Sequence, residues 1–370
     1  MAAGRARAAA ASERPRIVSA LPDPMVAVTA DFLPFDLHGV NGNITIEQAF
    51  PLSRVRGNRR RVAEADAERW SADTQRIGLD VELEALQAFF MLAERRETAV
   101  ILDEQIAITG ELVVIARAHL ASGQGMQADV LRLDNEIARF RADRRALDAD
   151  IRGAEAMLDT ALAREPTASV PPLAWSDDLG EPPPLDALAR KALGDRPELA
   201  SARADRRRAL AEVDVMRSMY GPMALVRAGP AYMMSEGTGM MAMVGISIPI
   251  WRESLGAGVS EAKAMAAMAS ADIDAMERMF VGNIAIARES VLAERTRLLA
   301  IQQDILPRAR QVVASATGSF AAGQGPMLPV LDAARDLREI RMQEIMARTR
   351  LSTAWARLRR ETAGLSGTTP

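Results

Sequence analysis

The sequence contains no cysteine, and this absence excludes disulfides, thiolate metal sites, cysteine nucleophiles and a cysteine-linked lipid from these 370 residues. Aromatic residues make up only 4% of the chain. Because the helical stretches are rich in alanine, the composition favours long, closely packed helices over a core of bulky side chains. Lysine is almost absent, since only Lys191 and Lys263 accompany the arginines. With a net charge of −3 and no basic patch, no nucleic-acid partner is predicted.

Several functional signals are also missing. No run of about 18 apolar residues is present, so no membrane-spanning helix is predicted. The segment Met1–Ala20 is rich in alanine and arginine and lacks the apolar centre of a secretory signal. The protein is therefore expected either to be cytosolic or to have a start that this chain lacks. The histidines, His38 and His119, belong to no catalytic pattern, and no phosphate loop or metal-ligand spacing is found, so we predict neither an enzyme nor a cofactor.

The chain contains an internal duplication. The segment Gly123-Gln124-Gly125 returns 200 positions later as Gly323-Gln324-Gly325. Apolar residues after each copy follow steps of three, four and seven, which is the spacing of one helix face. The matched positions are Val130, Leu133, Ile137, Phe140, Leu147, Ile151, Ala154 and Leu158 in the first copy and Val330, Ala333, Leu337, Ile340, Ala347, Leu351, Ala354 and Leu358 in the second. Each Gly-Gln-Gly therefore predicts a tight turn that opens an amphipathic helix.

Alternating apolar and polar residues predict two β-hairpins, over 25–50 and 223–250. Their turns are expected at His38–Asn43 and Glu236–Gly239. Each hairpin has one apolar face and one face of mostly small or polar residues. After each hairpin comes a long helical hairpin, whose first arm is roughly 100 Å long at about 1.5 Å per residue.

These elements predict two repeats in a mainly α fold with a small β part. The first repeat spans 1–200 and contains the β-hairpin 25–50, the helical hairpin 53–164 and a proline-rich connector over 165–184. The second spans 201–370 and contains the β-hairpin 223–250 and the helical hairpin 253–363. A helix over 185–219 precedes the second β-hairpin, whereas the first has only a short helix before it. By this symmetry, the chain is expected to be truncated at its start.

The residues alone leave two functions open. Four strands cannot close a barrel in a membrane, so a membrane role requires further chains. The alternative is a soluble, elongated coiled-coil scaffold whose β-hairpins pack on its own helices or mediate self-association. The long helices favour the membrane role, because a helical rod projecting from a barrel uses both features.

The order and spacing of several short motifs over about 15–363 resemble the TolC family of outer-membrane efflux channels. Within it, the chain resembles the outer-membrane component of heavy-metal efflux pumps of the CusC and CzcC type. The motifs are Leu21-Pro22-Asp23-Pro24-Met25, Gln48-Ala49-Phe50-Pro51, Arg196-Pro197-Glu198-Leu199, Ser247-Ile248-Pro249-Ile250-Trp251, and Gly323-Gln324-Gly325 with Val330-Leu331-Asp332-Ala333.

The resemblance implies a passive homotrimeric conduit that exports metal ions or small toxic compounds across the periplasm and the outer membrane and receives its energy from a partner. It would have a twelve-stranded β-barrel in outer-membrane lipid and an α-barrel crossing the periplasm. A periplasmic adaptor (membrane fusion) protein and an inner-membrane RND transporter would complete a tripartite pump. Many members also carry a lipid on an N-terminal cysteine, which this chain lacks.

The resemblance also assigns roles to residues of the turns. It places Gly123-Gln124-Gly125 and Gly323-Gln324-Gly325 at periplasmic tips that dock the adaptor, although any tight helical hairpin can use glycine. Family members often have an Asp-Val-Leu-Asp pattern at the second tip. Here Asp332 supplies the second aspartate, Pro329 replaces the first, and Asp129 occupies the matching place in the first copy. Asp129 and Asp332 are thus candidates for an acidic pore gate, with solvated helix charges as the alternative.

Methionine is concentrated in the second β-hairpin and its approach. Thioethers are soft ligands suited to Cu(I), and Met243 is predicted on the small, polar face of the hairpin. Met241 and Met243 are therefore candidate metal contacts for export of Cu(I) or Ag(I). The alternative is that these methionines are flexible apolar fillers.

Overall fold

A computed structural model describes residues 1–31, 41–173, 180–233 and 236–364 of the chain. Within these residues the fold is mainly helical with one four-stranded sheet, which confirms the predicted fold class. The elements are α1 (Ala2–Val18), β1 (Met25–Asp31), β2 (Asn41–Pro51), α2 (Val55–Ala121), α3 (Gln127–Ala161), α4 (Leu185–Asp195), α5 (Pro197–Ser218), β3 (Met223–Met233), β4 (Gly237–Ser247), α6 (Arg252–Ala300), a π-helical segment (Ile301–Ile305), α7 (Leu306–Ala321) and α8 (Leu328–Glu361).

The two β-hairpins form one antiparallel sheet in the order β1-β2-β3-β4. Strands β2 and β3 join the hairpins, with Glu47 opposite Arg227 and Pro51 opposite Met223. Gly229 makes this junction possible, because a Cβ atom there would lie 2.0 Å from the carbonyl oxygen of Ile44 in β2. A glycine is therefore required where the two hairpins meet.

The chain divides into two compact units, each of which takes segments from both predicted repeats. The first unit comprises Met1–Ile77 and Asp195–Met279 and contains the sheet. Polar contacts tie its helices together: Asn58 Nδ2 donates to the Asp214 carbonyl at 2.8 Å, and Thr74 Oγ1 donates to the Gly4 carbonyl at 3.1 Å. The repeat boundary at residue 200 stays a prediction.

The second unit comprises Gly78–Gly194 and Phe280–Pro370. Its core is built from helix faces predicted by the duplication, and most of the predicted positions on α3 and α8 are buried. Leu133 and Leu358 are fully buried. Apolar side chains repeating along one side of each helix thus pack against neighbouring helices, which confirms the predicted faces.

Cross-helix ion pairs join α2 to α8 in the second unit. Their partners are Asp80 with Arg360 at 2.7 Å, Glu82 with Arg359 at 2.8 Å, Glu97 with Arg348 at 2.9 Å, and Glu104 with Arg341. The acids belong to α2 and the arginines to α8, in antiparallel order. We refer to these four pairs as the ion-pair ladder. The bidentate geometry available to arginine suits such contacts, which fix the axial register of the two helices.

The backbone repeats itself at the same interval as the sequence. Gly123 and Gly323 have φ angles of 76° and 71°, and Ala163 and Ala363 have φ angles of 54° and 55°. The hydrogen bonds match too: Gln124 N donates to the His119 carbonyl at 2.9 Å, and Gln324 N donates to the corresponding carbonyl at 3.0 Å. The left-handed residue after each helix satisfies carbonyls that the helix end would otherwise leave unpaired.

Several boundaries differ from the sequence prediction. The helix predicted over 185–219 is two helices, because Arg196 is extended at ψ 125° before Pro197, as expected for a residue that precedes proline. Strand β2 already begins at Asn41 and β4 at Gly237, inside the predicted turns. Strand β4 ends at Ser247, before the predicted end of its hairpin. The rest of the first turn, with His38, and residues 174–179 of the connector lie outside the described residues.

The second long helical arm contains a π-helical segment that the sequence did not predict. Leu306 N donates to the Ile301 carbonyl, a hydrogen bond that spans five residues instead of four. Pro307 follows directly and has no N–H of its own, and its ring would clash with the carbonyl four residues earlier in a regular helix. The wider π turn relieves this clash and adds one residue to the helix path.

The π-helical segment also changes the phase of the buried stripe. The buried residues Ile284, Val291 and Leu298 follow one another at seven-residue steps, but the next member, Leu306, comes after eight. Phe320 then continues at twice seven. The extra residue in the π turn thus keeps the buried residues of both parts of the arm on one continuous stripe, which packs into one cluster before the π turn and another at Phe320.

Candidate functional site

The first candidate surface is the apolar face of the sheet. Alternate residues on all four strands place aliphatic and aromatic side chains on this face, and many of them are exposed. They include Val26, Val28, Ile44, Ile46, Phe50, Val226, Tyr232, Met240, Val244 and Ile246. The strand register aligns them, as the pairs Val28 with Ile44 and Val226 with Val244 show. An apolar face this continuous marks an interaction surface on a soluble protein or a membrane protein.

The opposite face of the sheet is polar and partly closed. Arg227 Nε donates to Glu47 Oε2 at 2.8 Å across β2 and β3. Thr45, on the same face, is buried, and among the described residues its hydroxyl has no hydrogen-bond partner. One face is thus apolar and the other holds a charge pair, as in a sheet that separates two different environments.

The structure places Met243 on this polar face, as the alternation predicted, and Met241 lies on the same face. Met243 lies directly opposite Arg227, and Met241 lies opposite Gly229. Alternate residues of a strand are about 7 Å apart, so the two thioethers are neighbours. The positive charge of Arg227 beside Met243 disfavours binding of a cation there. However, the guanidinium of Arg227 is already paired with Glu47. Whether these methionines contact a metal stays a prediction.

The second candidate surface comprises the two Gly-Gln-Gly turns. Both turns are exposed, and in each the first glycine adopts a positive φ angle. They differ at the last glycine: a Cβ atom on Gly125 would lie 2.9 Å from Leu120 N, whereas on Gly325 the nearest atom would be 3.5 Å away. Gly125 N also donates to the His119 carbonyl at 3.0 Å. The first turn is therefore more tightly wound than the second.

The two candidate gate aspartates follow the turns on α3 and α8. Asp129 lies in the first turn of α3, where the helix dipole favours a negative charge, and its carboxylate is 3.8 Å from Arg132. Asp332 is exposed, and its carboxylate is 3.7 Å from Arg335. Each aspartate thus has an arginine three residues later on its own helix, and this positive charge partly offsets the local negative potential.

Sequence reasoning missed the contacts that join the two copies near the turns. The rings of His119 and Phe320 meet edge to face with centroids 5.1 Å apart. Arg335 of α8 donates to Glu136 of α3, a largely buried carboxylate, which Arg139 also approaches at 3.7 Å. The His119–Phe320 and Glu136–Arg335 pairs join residues about 200 positions apart in sequence, so only the duplication indicated that the two turns lie side by side.

Two other kinds of feature are absent from the described parts of the chain. No helix there has both the length and the apolar character needed to cross a membrane. In the same residues, no group of three or more histidine, aspartate or glutamate side chains could hold a metal ion.

Comparisons with known proteins agree with this geometry. The sequence profile of the family described as "OEP: Outer membrane efflux protein" matches residues 188–364. The cobalt-zinc-cadmium resistance protein CzcC of Cupriavidus metallidurans is 26% identical over 303 residues, which cover 81% of this chain and 71% of CzcC.

Two solved structures show the likeness of the fold. The channel CusC matches with a TM-score of 0.82 at 14% identity, covering 98% of this chain and 88% of its own. The outer membrane protein VceC from Vibrio cholerae matches with a TM-score of 0.80 at 16% identity, and the match covers 98% of this chain and 92% of VceC. These likenesses confirm the resemblance predicted from the motifs. Residues 188–364 are thus similar to the outer membrane efflux protein family, and the fold of the described residues is similar to the folds of CusC and VceC.

Proposed function

We propose that this protein is the outer-membrane channel of a tripartite efflux system, a passive conduit for metal ions across the periplasm and the outer membrane. The observation that carries the proposal is the exposed apolar face of the four-stranded sheet, in a fold shared with outer-membrane channels. An apolar face backed by a polar one suits a wall between lipid and water. Such a wall needs its sheet edges closed before it enters lipid.

A homotrimer closes these edges. Strands β1 and β4 are the two edge strands of the sheet. If β4 of each copy pairs with β1 of the next, three copies form a twelve-stranded barrel with the apolar face toward lipid. The Glu47–Arg227 pair then lines the water-filled interior. The helices of such a trimer would form the α-barrel in the periplasm.

Reconstitution tests the channel directly. The purified chain is expected to have the mass of a trimer, measured by light scattering with detergent correction. Inserted into planar lipid bilayers, it is expected to give single-channel conductance. A control variant, Ala228→Asp, places a carboxylate on the apolar face and should abolish insertion. A protein that is soluble without detergent as a monomer or dimer, and gives no conductance, would instead be the coiled-coil scaffold.

The two Gly-Gln-Gly turns are proposed as the docking tips for a periplasmic adaptor, whose inner-membrane RND transporter supplies the energy. Their exposure and shared backbone support this role. A photo-crosslinker at Gln124 or Gln324 should capture the adaptor encoded with this channel, whereas the same group at the exposed Glu289 of α6 should not. Equal capture at all three positions would refute docking at the turns.

Asp129 and Asp332 are proposed to form acidic rings around the threefold axis at the pore entrance. A ring of carboxylates favours cations and raises the barrier for anions. Replacing both with asparagine is expected to lower the cation selectivity of the pore, measured as the reversal potential in a salt gradient. An unchanged reversal potential would show that both aspartates are solvated helix charges.

The cargo is proposed to be metal ions. The name of CzcC supports cobalt, zinc and cadmium as cargo, whereas the neighbouring thioethers of Met241 and Met243 favour Cu(I) or Ag(I). These two cargo classes can be distinguished by the metal tolerance of a deletion strain. The strain is complemented either with the wild-type chain or with Met241→Leu/Met243→Leu. Reduced copper and silver tolerance in the double variant, with intact zinc tolerance, would support thioether contacts. Unchanged copper and silver tolerance in the deletion strain itself would exclude those ions.

A further inference from the structure

Four methionines form two pairs on one side of helix α6. Each pair has the same spacing of three residues: Met265 with Met268, and Met276 with Met279. Met265, Met268 and Met279 are 50%, 55% and 51% exposed, and Met276 is half-buried. Asp272, also exposed, comes four residues after the first pair and four residues before the second. We call these five residues, Met265, Met268, Asp272, Met276 and Met279, the methionine stripe.

The helix geometry brings the members of the methionine stripe together. At about 100° per residue, their five positions fall within about 80° of one another around the helix axis. Another side of α6 is buried, because Ala262 and Ala266 pack in one cluster with Val213 of α5. This packing fixes the rotation of α6 and holds the stripe on an exposed side. The Cβ atoms of each methionine pair are about 5–6 Å apart at this spacing.

The charge of the methionine stripe is negative. Asp129 and Asp332 each have an arginine three residues later on their own helix. The positions three and four residues before and after Asp272 hold only alanine and methionine. The nearest basic residues of α6, Lys263 and Arg278, point about 180° and 120° away from Asp272 around the helix axis. Four thioethers therefore surround a carboxylate that no basic residue of its own helix offsets.

This combination of ligands suits a soft cation. Thioether sulfur favours Cu(I) and Ag(I), whereas harder ions favour oxygen and imidazole. Methionine has three rotatable bonds, so the two sulfurs of a pair can converge on one ion, and Asp272 adds an attractive charge. A face that was only apolar would need no sulfur, and covering a carboxylate without a partner would be costly.

We propose that each pair of the methionine stripe binds one soft monovalent cation, Cu(I) or Ag(I), so that an ion in transit meets two successive contacts. The proposal rests on the channel function above, and its residues are separate from Met241 and Met243. The two pairs lie about 16 Å apart along the helix. Two sulfurs hold an ion weakly, as conduction through successive sites requires. The competing occupant is a second copy of the chain, against which the methionines would be apolar fillers.

Silver binding to the purified protein in detergent tests the proposal. The chain has no cysteine and two histidines, so few other soft ligands compete. The parent chain carries Met241→Leu/Met243→Leu, and the stripe variant adds Met265→Leu/Met268→Leu/Met276→Leu/Met279→Leu. After dialysis against silver nitrate in a chloride-free buffer, bound silver is counted by plasma mass spectrometry. The parent is expected to bind about two silver ions per chain more than the stripe variant, one for each pair.

The carboxylate has its own variant. Asp272→Asn in the parent should weaken silver binding about fourfold, the effect expected for unit charges about 5 Å apart in water. Unchanged affinity in this variant would refute the electrostatic part of the site. Zinc nitrate should bind equally to the parent and the stripe variant, because zinc does not favour thioethers.

The matched control replaces exposed methionines that have no other methionine three or four residues away, Met91, Met126 and Met157, with leucine in the parent. Exchanging methionine for leucine conserves volume, so the fold should be kept. This control is expected to bind as much silver as the parent. A second measurement needs no variant: in the wild type, silver should protect the stripe methionines, but not Met91, from oxidation by hydrogen peroxide, read by mass spectrometry.

The outcomes separate this proposal from the channel function. Equal silver binding by the parent and the stripe variant, or an equal loss in the control, would overturn the metal contact. Stripe methionines that neither bind silver nor become oxidised are covered by another copy, which also overturns it. Normal conductance of the wild type in either case leaves the channel standing. If the wild type does not conduct, the channel proposal fails, and with it the role of the stripe in transit, even where silver binds.

Discussion

The π-helical segment leads to a prediction about stability. It distinguishes the effect of changing the helix phase from the effect of shortening the helix. Deleting Gln303, which is exposed within the π turn, brings Leu306 to seven residues after Leu298 and restores an unbroken seven-residue stripe. With Gln303 deleted, Pro307 would stand in a regular helix, where it costs about 3 kcal/mol. Combining the deletion with Pro307→Ala removes that cost. The combined variant is therefore expected to keep its stability within about 1 kcal/mol of the wild type, the range of a well-tolerated core change.

The matched control is the deletion of Glu289, an exposed residue in the regular part of α6. No extra residue exists there to absorb the deletion, so the part of the helix before position 289 turns by about 100° relative to the part after it. Phe280 and Ile284, both buried, then leave the core. At about 1.5–3 kcal/mol for each side chain, the expected loss is about 3–6 kcal/mol.

Urea unfolding of the reconstituted or detergent-solubilised protein, followed by far-UV circular dichroism, measures the difference. The midpoint should fall strongly for the Glu289 deletion, moderately for the Gln303 deletion alone, and little for the Gln303 deletion with Pro307→Ala. A combined variant as unstable as the Glu289 deletion would refute the reasoning, since the π turn would then have a role other than keeping the buried stripe in phase.

Three further predictions concern single positions. Gly125→Ala should lower the melting temperature, because its Cβ would meet Leu120 at 2.9 Å, whereas Gly325→Ala, with 3.5 Å available, should not; equal effects would contradict the difference between the turns. Gly229→Ala should push β3 away from β2 at a cost of about 3 kcal/mol and reduce sheet formation, seen as fewer assembled trimers on a native gel. The hydrogen bond from Arg341 lowers the pKa of Glu104, so this pair stabilises the fold above the unfolded-state pKa and loses its effect as the pH falls through the folded-state pKa. Glu104→Gln should therefore lower the free energy of unfolding, measured in urea at neutral pH, by under about 1 kcal/mol, because the pair is partly exposed. At pH values below both pKa values it should not lower this free energy. An equal loss in acid would refute the pairing.

The sequence was sufficient for features that depend on local spacing. The faces of α3 and α8 were predictable because positions such as Leu133 and Leu358 recur at helical intervals in both copies, and a spacing that appears twice is hard to produce by chance. The polar face of the second hairpin, with Met243, followed from alternation alone. The tight turn at Gly123 was predictable because the chain must reverse direction between two helices, and the structure gives this glycine a positive φ.

Features that depend on contacts between distant segments were not predictable. The ion-pair ladder joins α2 to α8 across more than two hundred residues, and charges such as Glu97 could have paired along their own helix just as well. The break at Arg196 could not be placed because a proline fits the first turn of a helix as well as its interruption. The π segment was signalled by Pro307 and by the eight-residue step before Leu306, but that step is visible only once the buried side is known.

The two Gly-Gln-Gly turns have the same backbone conformation but differ in the residues around it. The first tip has a tight glycine at Gly125 and an aspartate at the start of its outgoing helix, Asp129. The second has a looser Gly325 and a proline at the place of that aspartate, Pro329. In the proposed trimer, a partner that recognises the glycine backbone would therefore meet six equivalent tips, whereas one that reads the aspartate would meet only three. The stoichiometry of the bound adaptor thus reports which of the two features it recognises.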